Sequence, residues 1–150
     1  MPMDAMADRV IDELKHCDLL QQAFLTELRA LLVEKPGEAD TRWIAATVER
    51  LLDTLAREMS LKDDENYLEP VLEKFPSWAP RVDQLRAEKQ QLLEQLRAMR
   101  QELTTLAGDQ ALRPEFRERI RGWVERLSEH KRKERELILE ADTLDVGQGE

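Results

Sequence analysis

The chain has 150 residues, enough for one domain that buries roughly 70% of its unfolded surface. Hydrophobic residues make up 41%, charged residues 37% and aromatic residues 5%, and β-branched residues are few, which favours helices over sheets. The net charge of -9 argues against nucleic acid or an anionic membrane as the main partner, because both require a basic protein surface.

The first predicted helix runs from about residue 4 to residue 34. Cys17 is the only cysteine, so an intramolecular disulfide and a thiolate metal cluster are excluded, and a small buried side chain is expected there. Residues 1–9 lack an apolar leader segment, and we expect a reducing, cytoplasmic location. His16 lies at the margin of the apolar stripe, where a histidine is usually packed or solvated. The stripe consists of Val10, Leu14, Cys17, Phe24, Leu28 and Leu31.

The second predicted helix begins near Asp40 or Thr41, either of which can act as an N-cap. Its apolar phase breaks after Met59, because the same face would then carry Lys62, Asp63 and Asn66, so we expect a bulge or kink near Ser60. Prolines make residues 70–79 a connection, with Ser77 as the expected cap of the next helix. The apolar face comprises Ile44, Val48, Leu51, Leu52, Leu55 and Met59.

The third predicted helix contains a long seam, defined here as residues at alternating steps of four and three. Lys89 is its only polar member, and a lysine can extend its ammonium to water along apolar surface. A turn around Gly108 and Asp109 follows, before Pro114. The seam comprises Trp78, Val82, Leu85, Lys89, Leu92, Leu96, Met99, Leu103 and Leu106.

The fourth predicted helix carries a second seam, and two of its members are ionisable. His130 and Glu134 lie one turn apart among apolar neighbours, so each needs a polar partner inside the fold. Residues 131–133 are basic but interleaved with acids, which predicts a solvated helix face. The seam comprises Phe116, Ile120, Trp123, Leu127, His130, Glu134, Leu137 and Ala141.

Four long helices with short connections predict an all-α, up-down-up-down antiparallel four-helix bundle over residues 1–145, with a disordered tail at 146–150. Folding each helix back on the previous one places Lys89 opposite the interval between His130 and Glu134. The same counting brings His16 and Asp64 to nearly this level. We therefore predict a buried polar cluster of Lys89, His130 and Glu134.

These residues resemble the hemerythrin or HHE cation-binding family. The resemblance implies a four-helix bundle around a non-haem di-iron centre. In that family the first and third helices each supply one histidine, and the second and fourth each supply a His-x-x-x-Glu pair. His16 resembles the first motif, and His130 with Glu134 matches the last. The segment 60–70 resembles the second motif without its histidine, and Lys89 occupies the place of the third.

Two of the four expected histidines are therefore replaced, by Ser60 and Lys89, and a lysine ammonium repels metal ions. Our first hypothesis is a vestigial, metal-free di-iron site in a protein that is not an enzyme and has no cofactor. Its role would be structural, sensing or interaction-based. It would act as a monomer or homodimer in the cytoplasm, with an unidentified protein partner and with neither nucleic acid nor membrane.

Two alternatives remain open. In the second hypothesis, His16, Asp64, His130 and Glu134 hold a metal, with iron as the cofactor for sensing oxygen, nitric oxide or metal. In the third, the chain is a coiled-coil adaptor or helical chaperone whose seams pack against another chain. The order of residues typical of acyl-transfer enzymes and a glycine-rich phosphate loop are both missing from the sequence.

Overall fold

Helices make up almost all of the residues that the structure describes. The computed structural model describes the backbone of residues 2–33, 38–64, 67–106 and 111–148, and the side chains of 9–33, 41–62, 67–106 and 111–144. No strand occurs within these ranges, and the predicted all-α helical bundle is confirmed. The helices are α1 Pro2–Val33, α2 Glu38–Asp64, α3 Glu69–Lys74, α4 Ala79–Thr105 and α5 Pro114–Gln148, with a 3₁₀ turn at Pro76–Trp78.

The four long helices pack in a ring: α1 contacts α2, α2 contacts α4, α4 contacts α5, and α5 closes against α1. Ion pairs show how α4 and α5 run relative to each other. Glu102 near the end of α4 pairs with Arg119 near the start of α5 at 2.7 Å. Arg81 near the start of α4 pairs with Glu140 late in α5 at 2.9 Å. These two helices are therefore antiparallel.

The seams predicted on the third and fourth helices form much of the core, which is divided into two apolar clusters. Leu92 of α4 and Leu127 of α5 belong to the large cluster. Leu85 of α4 and Leu137 of α5 belong to the small one. Lys89, His130 and Glu134 therefore occupy the interval between two apolar regions. Trp123 is fully buried, and its Nε1 donates a hydrogen bond of 2.8 Å to the Leu92 carbonyl oxygen.

Helix α2 differs from its prediction in two ways. It begins at Glu38, so Asp40 and Thr41 lie inside the helix rather than at its cap. It also remains α-helical through Ser60 to Asp64 without the expected bulge. The irregularity comes later, where the Tyr67 N–H donates to the Lys62 carbonyl oxygen five residues earlier, at 3.0 Å.

The connection predicted at residues 70–79 folds into α3 and the 3₁₀ turn. Trp78, not Ser77, occupies the N-cap position of α4, and it makes no side-chain capping bond. Its ring stacks on Phe75 with centroids 4.4 Å apart. At the other end of the chain, α5 ends at Gln148, and the last two residues of the tail predicted at 146–150 lie outside the described residues. The turn predicted at Gly108 and Asp109 lies outside the described residues.

No helix in the described part of the chain combines the length and the apolar character that a bilayer-spanning segment needs.

The division between core and surface on α5 can be tested with a matched pair of leucines. Leu127 is 1% exposed and Leu139 is 64% exposed. Leu127→Ala removes buried methyl groups and leaves a cavity, so it should lower the free energy of unfolding by about 2–5 kcal/mol. Leu139→Ala should change it by less than about 0.5 kcal/mol. Urea unfolding followed by circular dichroism measures both, and equal losses would contradict this assignment.

Candidate functional site

Helix α2 carries a glutamate and a lysine into the interval between the apolar clusters. Its buried residues Ile44, Val48, Leu51 and Leu55 step by four and three, and the next two steps reach Glu58 and Lys62. Only 5% of the Glu58 side chain and 17% of the Lys62 side chain are exposed. The Lys62 ammonium donates to Glu58 Oε1 at 2.8 Å, one turn along the same helix.

Four charged side chains from three helices form what we call the ion-pair layer: Glu58, Lys62, Lys89 and Glu134. Lys89 Nζ lies 2.7 Å from Glu58 Oε1 and 3.6 Å from Glu134 Oε2. Lys62 Nζ contacts Glu58 Oε1 and also Glu134 Oε1. Each carboxylate thus contacts both ammoniums, and the four charges sum to zero.

His130 adjoins the layer and is fully buried. Its Nδ1 lies 2.7 Å from Glu88 Oε1. Because an ionised carboxylate can only accept a hydrogen bond, Nδ1 carries the hydrogen of this pair. The other ring nitrogen, Nε2, lies 3.4 Å from Glu134 Oε2 but makes no hydrogen bond among the described residues. His130 is therefore oriented by Glu88, with Nε2 facing the layer.

Two further side chains contact the second oxygen of Glu58. The fully buried Gln21 of α1 donates from Nε2 to Glu58 Oε2 at 2.5 Å. Lys131 Nζ lies 3.5 Å from the same oxygen and 3.3 Å from Asp18 Oδ1. The solvated face predicted for residues 131–133 is wrong for Lys131, whose side chain is only 12% exposed. Its long stem allows the ammonium to reach inward from the edge of the helix.

The electrostatics keep both carboxylates of the layer ionised. Burial alone raises the pKa of Glu58, but the ammoniums of Lys89, Lys62 and Lys131 outweigh burial and hold this pKa far below its usual range. Burial likewise raises the pKa of Glu134, but His130 and the ammoniums of Lys89 and Lys62 outweigh burial and hold this pKa far below its usual range. Glu58 and Glu134 are therefore anions at neutral pH.

The two lysines respond differently to the same pair of carboxylates. Burial lowers the pKa of Lys62, but the attraction of Glu58 and Glu134 is stronger, and the pKa lies above its ordinary value. Burial also lowers the pKa of Lys89, and here the carboxylates do not fully offset it. The 2.7 Å contact with Glu58 is nevertheless as short as a charge-assisted hydrogen bond, which favours the ammonium form of Lys89.

Glu88, the hydrogen-bond partner of His130 Nδ1, is ionised as well. Burial raises the pKa of Glu88, but the hydrogen bond from His130 and the nearby Lys133 ammonium lower it below its ordinary value. The imidazole therefore lies between two carboxylates, Glu88 and Glu134.

Two surface cavities reach the layer. One of about 390 Å³ adjoins Met59, Leu85 and Lys89. The other, of about 300 Å³, opens beside α1 and α5. Lys62, Glu134 and Tyr67 line both cavities, and the Tyr67 ring centroid lies 4.8 Å from Lys62 Nζ. The layer is thus buried but lies close to solvent on two sides.

The structure brings Lys89, His130 and Glu134 together. It places His16 elsewhere: this side chain is exposed and lines a shallow groove of about 810 Å³ along α1 and α2, together with the buried Cys17. Asp64 is the last residue of α2, and its side chain lies outside the described residues. Ser60 is exposed.

Sequence reasoning missed Glu58, Lys62 and Gln21 as members of this site, although the pattern contained a signal for each. From Leu55, a step of four reaches Met59 and a step of three reaches Glu58. We predicted that the apolar Met59 continues the buried face, whereas the structure buries Glu58. Gln21 likewise falls between Cys17 and Leu28 at helical spacing, and a polar residue in such a stripe marks a buried partner.

Comparison with known families agrees with this architecture. The model of the hemerythrin HHE cation binding domain matches residues 9–141. The chain belongs to this family. Neither the comparison with curated proteins nor the comparison with solved structures finds a match.

Iron is the metal that membership of the hemerythrin family implies, and the layer does not fit it. Iron in such a site needs several imidazole and carboxylate donors, whereas the described core presents one histidine, and the oxygens of Glu58 and Glu134 contact lysine ammoniums. Among the described residues, no three His, Cys, Asp or Glu side chains are arranged to hold a metal ion.

The ion pairs of the layer should be costly to break. Lys89→Met leaves two buried carboxylates with one ammonium fewer, so we expect the free energy of unfolding to fall by about 3–5 kcal/mol. The control is Lys133→Met, since the side chain of Lys133 is 46% exposed in its pair with Glu88 and should lose at most about 1 kcal/mol. Urea unfolding at pH 7 measures both. A Lys89→Met protein as stable as the wild type would contradict the ion-pair assignment.

Acid should destabilise the protein through Glu58 and Glu134. Because their pKa values are lower in the folded than in the unfolded protein, their contribution to stability is present above the unfolded value of 4.5. It is lost progressively as the pH falls from there towards the lowered pKa values of the folded protein. Urea midpoints measured from pH 7 to pH 3 should decline, and the decline should be shallower for Glu58→Gln/Lys89→Met. Parallel pH profiles for the two proteins would count against this origin.

Proposed function

We propose that this hemerythrin-family protein functions without a di-iron centre, as a helical protein with a structural, sensing or interaction role. The observation that carries the proposal is the ion-pair layer: the carboxylates of Glu58 and Glu134 each contact the ammoniums of Lys62 and Lys89. On this proposal the protein is not an enzyme, acts in the cytoplasm as a monomer or homodimer, and contacts a protein partner.

The layer would serve the fold by fixing the register of the helices. It lies between the two apolar clusters, and it joins α2, α4 and α5 through specific atoms. Sliding one helix by a turn would place an unpaired charge inside the bundle, and an unpaired buried charge costs several kcal/mol. Apolar seams alone discriminate less well between registers, because one leucine packs much like another.

Two observations bear on the alternatives. The seams of α4 and α5 are buried within the single chain, with Leu96 0% and Leu127 1% exposed, so no second chain is required to cover them. This favours the bundle over the coiled-coil adaptor. The alternative metal site requires His16, which is exposed and lines a different surface groove. This favours the hypothesis that the protein functions without a bound metal.

Metal content tests the proposal. Protein produced in iron-supplemented medium should contain iron far below one equivalent per chain, measured by inductively coupled plasma mass spectrometry. It should also lack the near-ultraviolet absorption of an oxo-bridged iron pair. His130→Ala provides the matched comparison. Stoichiometric iron in the wild type that disappears in His130→Ala would overturn the proposal and favour an iron-dependent sensor.

A further inference from the structure

We infer that the cavity beside α1 and α5 binds a small amphiphilic carboxylate of the medium-chain fatty acid class. Its apolar walls would enclose the hydrocarbon chain, and two exposed cations that line it, Lys15 and Arg135, would pair with the carboxylate. The inference adds a ligand to the sensing role within the proposed function. It rests on that proposal, because residues of the ion-pair layer form the buried wall of the cavity.

The cavity has the size of a small ligand pocket. Its volume is about 300 Å³, which lies at the lower end of the range for ligand sites, about 300–1,000 Å³. At roughly 30 Å³ for each water-sized group, it accommodates on the order of ten non-hydrogen atoms. A linear acid of about eight carbons therefore fits, and a long-chain lipid does not.

Several of the lining side chains are apolar or aromatic, and they come from both long helices and the α2–α3 connection. They are Ile11 and Leu14 of α1, Tyr67, and Ile138 of α5. Ile11 is 49% exposed and Tyr67 is 37% exposed. A hydrocarbon chain lying against them would remove this apolar surface from water, which is the main favourable contribution for such a ligand.

The lining also carries an excess of positive charge, although the net charge of the chain is -9. Lys62 and Lys131 contact carboxylates of the chain. Lys15 and Arg135 are exposed, and neither makes an ion pair among the described residues. Four cations and three carboxylates line the cavity: Lys15, Lys62, Lys131 and Arg135, with Asp18, Glu58 and Glu134.

The buried wall determines how the ligand would be oriented. Glu58 and Glu134 are ionised, and the ammoniums near them are already paired. A ligand carboxylate placed there would lose its hydration without gaining a free cation. At the exposed side, the guanidinium of Arg135 can bind a carboxylate through two parallel hydrogen bonds, and Lys15 can add a third. The carboxylate therefore points outward and the hydrocarbon chain inward.

Octanoate has the required size and charge, and isoleucine methyl groups provide a local readout of its binding. The chain contains four isoleucines. Ile11 and Ile138 line the cavity, whereas Ile44 and Ile120 are 0% exposed in the core. In nuclear magnetic resonance spectra of isoleucine methyl-labelled protein, octanoate should shift the Ile11 and Ile138 signals saturably, with a Kd on the order of 0.1–1 mM. The Ile44 and Ile120 signals should stay nearly unchanged.

The charge requirement is tested with Lys15→Gln/Arg135→Gln, which should raise the Kd for octanoate about tenfold because two ion pairs with the ligand are lost. The matched control is Arg50→Gln/Arg97→Gln, which removes two exposed cations that do not line the cavity and should change the Kd less than about twofold. Octylamine, a cation of the same length, should give no saturable shift. Equal Kd values for the two double variants, or equal binding of octylamine and octanoate, would overturn the inference.

The outcomes separate this inference from the proposed function. Iron-free wild-type protein whose Ile11 and Ile138 signals do not respond to octanoate contradicts the inference alone. Shifts of all four isoleucine signals without saturation would also contradict it, because they indicate detergent-like binding. Stoichiometric iron in the wild type overturns the proposed function, and with it the ion-paired wall on which the inference depends.

Discussion

Two carboxylates remain ionised inside this bundle because each contacts the same two lysine ammoniums. Glu58 of α2 and Glu134 of α5 are joined through Lys62 and Lys89, so side chains from three helices form one neutral ion-pair layer. A large apolar cluster lies on one side of this layer and a small one on the other. Removing any one member leaves an uncompensated net charge buried between the helices, which destabilises their packing.

Much of the fold could be predicted from periodicity. The steps of four and three on α4 and α5 identified the buried faces, and the polar exceptions on them, Lys89, His130 and Glu134, do lie together. Counting residues across antiparallel helices was sufficient for this, because each helix advances at a constant rise per residue. Where a helix is regular and its stripe is narrow, sequence spacing fixes which side chains share a level.

Residue spacing alone does not predict the other members of the site, Glu58, Lys62 and Lys131. A helical stripe can continue by a step of three or of four, and after Leu55 the apolar choice, Met59, concealed Glu58 and Lys62. Helix α2 needed no bulge once the charged phase was followed. Lys131 illustrates a different limit, because a long flexible side chain can reach inward from a position that periodicity assigns to the surface. The burial of a charge depends on its partners, which come from other helices.

In this hemerythrin-family protein, the ammoniums of Lys62 and Lys89 occupy the space between Glu58 and Glu134. The most direct measurement is an anomalous difference map, recorded at the iron absorption edge from crystals soaked anaerobically in ferrous iron. No peak should appear between Glu58 and Glu134, and density for the Lys62 and Lys89 side chains should reach both carboxylates. An iron peak bonded to Glu134 and His130, with the lysines displaced, would contradict the central claim that lysine ammoniums replace the metal.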